Sequence, residues 1–221
     1  MNTAEHELQI SKKARYYTYG NDITSARYIW FACHGYGQLG KYFINNFRGL
    51  SPELHFVVAP EGLHRFYLDG FSGRVGATWM TKEARLDDIE DYVRFLDSVF
   101  EDSGASAKNT EQQIVAFGFS QGVATISRWI TMGAHRPDIA VFWAGSFPPD
   151  LEPVRSTNAF QNIHTICTSG ADDPFITQEN IKETKKQLSA LAIDPTWHRF
   201  SGAHVIPQDA LEAVVNLFSQ K

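Results

Sequence analysis

The sequence predicts an α/β domain built on a mostly parallel central sheet with helices on both faces. Three observations carry this. Short continuous apolar runs at Tyr28–Cys33, His55–Pro60, Ile114–Phe117, Ile139–Gly145 and Ile163–Thr168 have the look of strands buried on both sides. Between them lie amphipathic stretches, clearest at Leu86, Ile89, Val93, Leu96 and Phe100, whose three- and four-residue steps put one apolar stripe on a helix. The two kinds of segment alternate, which favours strands joined by crossover helices.

At 221 residues one domain spanning 1–221 is expected, without linker, repeat or low-complexity tract. A net charge of −5 and no Lys/Arg cluster give no reason to expect a nucleic-acid partner. The stretch Met1 to Glu7 is polar and acidic, unlike a secretory signal, and the run Ile139–Gly145 is too short to span a bilayer. Cys33 and Cys167 fall inside predicted strands and read as small core residues of a reducing, cytoplasmic setting.

In chain order, residues 8–19 carry Leu8, Ile10 and Tyr16-Tyr17-Tyr19, read as one or two antiparallel edge strands. The strand Tyr28–Cys33 ends in the loop His34-Gly35-Tyr36-Gly37, and a short helix over Lys41–Leu50 precedes the strand His55–Pro60. Glu61 to Thr81, with Phe66, Phe71 and Trp79 among glycines, shows little periodicity and reads as one long loop. The helix carrying Leu86–Phe100 follows, then the strand ending at Phe117. Ser146–Phe160 contains Pro148, Pro149 and Pro153 and reads mostly as loop. A strand at Ile163–Thr168, a helix over Thr177–Leu191, a strand at Trp197–Phe200 and a closing helix from Pro207 complete the chain.

Gly118-Phe119-Ser120-Gln121-Gly122 joins an apolar run to a helix, and glycine-x-serine-x-glycine at such a turn is the nucleophile-elbow pattern. In open parallel sheets ligands bind beyond the carboxyl ends of the strands, so the segments just after each strand matter most. Those segments contain His34-Gly35-Tyr36-Gly37, Ser120, Asp172-Asp173 and His204. A serine hydroxyl needs a base to take its proton, and the base needs an acid to fix its tautomer. The order Ser, Asp, His matches that of α/β-hydrolases. His204 is favoured as base by order and position. His34 precedes the serine, and His164 lies within a strand as a core histidine would. Position alone does not separate Asp172 from Asp173. Two backbone N–H groups must also meet the developing oxyanion: Gln121, after the nucleophile, and Tyr36, in the early loop, are the candidates.

These segments resemble the phospholipase/carboxylesterase family, which includes acyl-protein thioesterases. The matching pieces are Cys33-His34-Gly35-Tyr36-Gly37, Gly118-Phe119-Ser120-Gln121-Gly122, Gly170-Ala171-Asp172-Asp173-Pro174-Phe175-Ile176 and Gly202-Ala203-His204. The resemblance implies an α/β-hydrolase sheet of eight strands or slightly fewer, without an inserted lid domain. It selects Asp173, just before the proline, as the acid. Two departures stand out. Tyr36 replaces a usually aliphatic residue, and Trp79-Met80-Thr81 replaces a Trp-Phe-Asp segment. Trp79, Phe66, Phe71 and Met80 are the candidate acyl-binding residues.

The expected function is therefore a serine hydrolase. It would cleave small-molecule esters or thioesters of short to medium acyl chains through Ser120, His204 and Asp173, with no cofactor or metal. Gly35-Tyr36-Gly37-Gln38-Leu39-Gly40 also spells a dinucleotide fingerprint, with Glu61 at the distance of its ribose-binding acid. It leaves the serine, aspartate and histidine unexplained. A binding protein on a hydrolase fold is the other alternative.

Overall fold

The computed structural model describes residues 3–219, so Met1 and Asn2 of the polar leading stretch lie outside it. In chain order the strands are β1 (Tyr16–Tyr19), β2 (Tyr28–Cys33), β3 (His55–Pro60), β4 (His64–Asp69), β5 (Ser72–Thr78), β6 (Gln113–Phe119), β7 (Ile139–Trp143), β8 (His164–Gly170) and β9 (Thr196–Phe200). The helices are α1 (Gly40–Phe43), α2 (Arg85–Asp102), α3 (Gln121–Met132), α4 (Pro153–Phe160), α5 (Gln178–Ala190) and α6 (Gln208–Ser219). Seven strands form one sheet in the order β1-β3-β2-β6-β7-β8-β9, and β4 and β5 pair separately. Only β1 runs antiparallel in the large sheet; Tyr16 faces Pro60 and Tyr19 faces Val57 across it.

The apolar runs are continuous because each strand buries both of its faces. Successive side chains point to opposite sides. Ile29, Phe31, Cys33, Ala116 and Phe142 pack with Leu96 of α2 and Ile126 and Ile130 of α3. Trp30, Ala32, Phe117, Val141 and Trp143 face the other way, against Phe43, Phe47 and Leu211 and Val214 of α6. The register Cys33↔Gly118 and Phe119↔Trp143 brings the carboxyl ends of β2, β6 and β7 level. That alignment is what the site is built upon.

Several local expectations change. The segment 61–81 is mostly a β-hairpin, pairing His64 with Thr78 and Tyr67 with Val75. Gly70 in its turn has φ 62° and Gly73 at the start of β5 has φ 90°, values costly for other residues. β5 hides from pattern reading because its Ser-Gly-Arg-Val-Gly-Ala-Thr sequence is poor in β-branched and aromatic residues, although Asp69-Gly70 is itself a hairpin signal. The hairpin also reaches the early loop: Gly37 N–H donates to Ala77 O at 2.8 Å, and Ala77 N–H to Gln38 O at 3.2 Å.

In 146–160, Pro153 starts a helix rather than breaking one. It occupies the first turn of α4, where no backbone N–H is needed, and the Glu152 carboxylate accepts the N–H groups of Val154 and Arg155. The short early helix shrinks to α1 and a following 3₁₀ turn at Ile44–Phe47. Residues 8–15 form no strand, and Leu8 and Ile10 are exposed. Leu86 is also exposed, so the buried stripe of α2 begins at Ile89. In α6, Val215 is half-buried beside the buried Leu211, Val214 and Phe218.

His55 begins β3 and is buried. Trp30 Nε1–H donates to its Nδ1 at 3.0 Å, and Tyr28 stacks on its ring at 5.2 Å. Burial lowers its pKa from 6.5 to about 4. The unfolded chain therefore binds a proton there that the folded chain refuses, and stability drains away as pH falls through that window. At roughly 1.36 kcal/mol per unit, this one group removes about 3 kcal/mol by the bottom of the window. Urea unfolding at several pH values should show this loss, and a His55→Phe variant should show a shallower slope between pH 6.5 and 4. Equal slopes would contradict the assignment.

Candidate functional site

Ser120 sits between β6 and α3 with φ 55° and ψ −115°, a backbone state few non-glycine residues adopt. Its surroundings enforce this. A Cβ on Gly118 would overlap the Gly122 carbonyl, and one on Gly122 would overlap the Cys33 carbonyl at the end of β2. A Cβ on Gly145 would overlap the carbonyl of Ser120 itself. The chain can turn this sharply only where side chains are absent. Ser120 N–H donates to Trp143 O at 2.9 Å, tying the turn to the end of β7.

Asp173 and His204 follow β8 and β9. The Asp173 side chain is wholly enclosed; its Oδ1 accepts Phe175 N–H at 2.8 Å and its Oδ2 lies 2.7 Å from His204 Nδ1. A carboxylate only accepts, so His204 carries its proton on Nδ1 and turns Nε2 elsewhere. Its ring lies between Phe119, with centroids 4.7 Å apart, and Phe175, at 4.9 Å. Phe119 immediately precedes Ser120. Ser120 Oγ and His204 Nε2 form no hydrogen bond with each other or with another described residue. The loop carrying His204 is fixed at both ends: Asp172 N–H donates to Gly202 O at 2.9 Å, and Trp143 Nε1–H to Val205 O at 2.9 Å. Asp172 itself is exposed, so the structure separates the two adjacent aspartates that position alone left equal.

The other histidines are otherwise engaged. His34 is buried; Gly62 N–H donates to its Nε2 at 2.9 Å, and its Nδ1 lies 2.7 Å from Gly35 O. Burial lowers its pKa to about 4, so the ring stays neutral. His164 opens β8, at the opposite end of the strands from Ser120, and is half-buried rather than a core residue.

The early loop lies directly against the elbow: a Cβ on Gly35 would stand 3.2 Å from Ser120 Cβ. Tyr36 N–H and Gln121 N–H donate to no described backbone carbonyl. The Gln121 side chain bridges to the hairpin, its Nε2 donating to Thr78 Oγ1 at 2.8 Å and to Met80 O at 3.3 Å. This tie between elbow and hairpin was not foreseen, because nothing in a lone Gln marks its partner. The dinucleotide fingerprint is also accounted for. Glu61 is buried, with Oε2 accepting Gly40 N–H at 3.2 Å and Oε1 pairing with Arg65 at 2.7 Å, and α1 is a single turn. Glu61 is therefore not left for a ribose.

The four candidate acyl-binding residues do not share one surface. Trp79 is fully enclosed, donating Nε1–H to His34 O at 2.9 Å and tilted against the His34 ring, so it is a core residue. Phe71 is 99% exposed at the hairpin tip. Phe66 is half-buried against Tyr36, with ring centroids 5.1 Å apart, and Met80 is half-buried beside Arg128. Aromatics in a glycine-rich stretch suggested a pocket; Trp79 instead closes the space beneath the early loop. A small cavity of about 30 Å³ opens beside Gly145, Ser146, Ser169 and Ile176, next to the elbow. Trp79→Ala should lower the unfolding free energy by about 3–5 kcal/mol. It should change turnover of short and long acyl esters alike. A normal melting transition with selective loss of long-chain turnover would return Trp79 to the substrate.

A sequence model of the family described as serine hydrolase (FSH1) matches residues 30–214, which takes in every one of these segments. No curated protein sequence matches the chain significantly. Among solved structures, acyl-protein thioesterase 2 of Zea mays is similar with a TM-score of 0.70 at 16% identity, over 94% of this chain and 99% of that one. Esterase PE8 gives 0.68 at 20% identity, over 95% and 99% of the two chains. A carboxylesterase of Mesorhizobium loti gives 0.70 at 16% identity, over 90% and 91%. At such identities the likeness is one of fold: an α/β-hydrolase sheet without a large lid. Among the described residues no helix is long and apolar enough to cross a membrane. With a family match running from β2 into α6, the chain belongs to the serine hydrolase (FSH1) family.

Proposed function

We propose that the chain hydrolyses carboxylic esters or thioesters of short to medium acyl groups through Ser120, His204 and Asp173. The observation that carries this is the 2.7 Å Asp173–His204 pair, with its ring packed on the residue before a strained Ser120. His204 Nε2 takes the proton as Ser120 Oγ attacks the carbonyl carbon, and Asp173 stabilises the resulting imidazolium. The N–H groups of Tyr36 and Gln121 receive the oxyanion. Each such donor contributes on the order of 2.7–4 kcal/mol in comparable sites. The tetrahedral adduct expels the alcohol or thiol, which leaves with the proton from His204. Water, deprotonated by the same imidazole, then attacks the acyl-enzyme and releases the acid. Nothing in this sequence calls on a metal or organic cofactor.

The lack of a hydrogen bond between Ser120 and His204 fits this reading, since catalytic hydrogen bonds often tighten only in the substrate complex. The acyl group has two neighbouring surfaces: the cavity of about 30 Å³ beside Gly145, and the aromatic rim of Tyr36 and Phe66. The small size of that cavity supports short over long chains. The substrate we propose is a small molecule. We also take the chain to act as one domain.

A p-nitrophenyl ester series from acetate to palmitate tests this reading. Wild-type kcat/KM should be highest for the shorter esters. Ser120→Ala and His204→Ala should each lose at least about 10³-fold in kcat while keeping their fold. Binding of the ester without turnover would favour the binding-protein reading instead.

A further inference from the structure

The His34 ring belongs to neither acid–base chemistry nor an ordinary apolar core. It is fully buried at the end of β2, one residue before Gly35, and each ring nitrogen has one polar partner. Gly62 N–H can only donate, so Nε2 is the accepting, unprotonated nitrogen. The proton therefore sits on Nδ1, which donates to Gly35 O at 2.7 Å. The tautomer follows from the backbone alone.

Gly35 O belongs to the peptide whose N–H is that of Tyr36. A peptide is planar and trans, so its C=O and N–H point in opposite directions. Fixing the oxygen fixes the hydrogen. Gln38 N–H is a second donor to Gly35 O, at 3.2 Å, and Gln38 Oε1 takes Gly35 N–H at 2.8 Å. Tyr36 N–H, by contrast, donates to no described residue. Glycines tolerate peptide rotation better than other residues, so a loop reading His-Gly-Tyr-Gly needs an external hold on this plane. The Trp79 indole closes over the ring and donates to His34 O at 2.9 Å, while the hairpin fastens Gly37 at 2.8 Å.

We infer that His34 is a positioning residue: its Nδ1–H, set by Gly62 N–H on the other nitrogen, holds the Gly35–Tyr36 peptide so that Tyr36 N–H faces the oxyanion. The inference rests on the proposed function above, since an oxyanion must form for the aim to matter. It predicts that loss of His34 acts on the transition state more than on the bound ester.

The experiment compares wild type, His34→Leu and His34→Asn on p-nitrophenyl acetate, using the full chain. His34→Leu removes both ring contacts. His34→Asn keeps a short amide donor near the Nδ1 position. Expected for His34→Leu is a fall in kcat of about ten- to a hundred-fold with KM changed less than about three-fold. Inhibition by a trifluoromethyl ketone, whose adduct carries the oxyanion, should weaken by a similar factor. His34→Asn should recover most of the kcat. Near-wild-type kcat in His34→Leu, or equal loss in both variants with no weakening of the ketone, overturns the inference while leaving the hydrolase reading intact. Should His34→Leu fail to fold, ¹⁵N spectra of wild-type histidines decide: a neutral Nδ1–H ring at His34 supports the assignment, and an Nε2–H ring overturns it. Absence of Ser120-dependent turnover in wild type overturns the hydrolase reading, and this inference with it.

Discussion

The architecture depends on a steric constraint: the helix after Ser120 must pass within van der Waals contact of the end of β2. Gly122 lies where any Cβ would overlap the Cys33 carbonyl, and Gly118 lies where one would overlap Gly122. That approach forces Ser120 to φ 55°. It also brings the loop after β2 against the elbow, so that Gly35 and Ser120 become neighbours. A strained residue persists only where its surroundings over-determine it, and here the sheet does so through the bond from Ser120 N–H to Trp143 O. The early loop and the elbow follow the level ends of β2 and β6, and Asp173 and His204 follow β8 and β9.

Around this elbow the chain divides labour among histidines by burial and partners. His55 and His34 are buried, each accepting an N–H, and both are held neutral with pKa values near 4. His204 is partly open, with an enclosed carboxylate on Nδ1 and aromatic rings on both sides. A buried ring held neutral, as at His55 and His34, is a structural strut. A ring with one nitrogen oriented by a carboxylate and the other unspent is suited to moving protons. The difference lies in surroundings that three identical letters in a sequence do not reveal.

Much of the fold was nonetheless legible. Tyr28–Cys33 and Ile139–Trp143 are apolar throughout because both faces are covered, and the Ser, Asp, His segments fall after strands because the sheet is parallel. What escaped has physical causes. β5 was hidden by Gly73 and Gly76, which weaken any strand signal; Gly76 is needed because a Cβ there would meet Gly37 O at 2.5 Å. α4 was hidden by Pro153, a breaker inside a helix but favourable in its first turn. Trp79 falls in what reads as a long aperiodic loop, the kind that is often functional, yet its indole is committed to His34 O. Asp173 and Asp172 are equivalent on paper and diverge only when Phe175 N–H and His204 close around one of them.

The central claim is that Ser120 becomes covalently acylated during turnover. Its most direct test is to mix the chain with p-nitrophenyl acetate, quench in acid within the first turnovers and locate the acetyl group by peptide mass spectrometry. The account predicts an acetyl group on the peptide containing Ser120, absent from Ser120→Ala and accumulating faster than free acetate forms. Steady hydrolysis by the wild type with no acetyl on Ser120 under any quench time would contradict it.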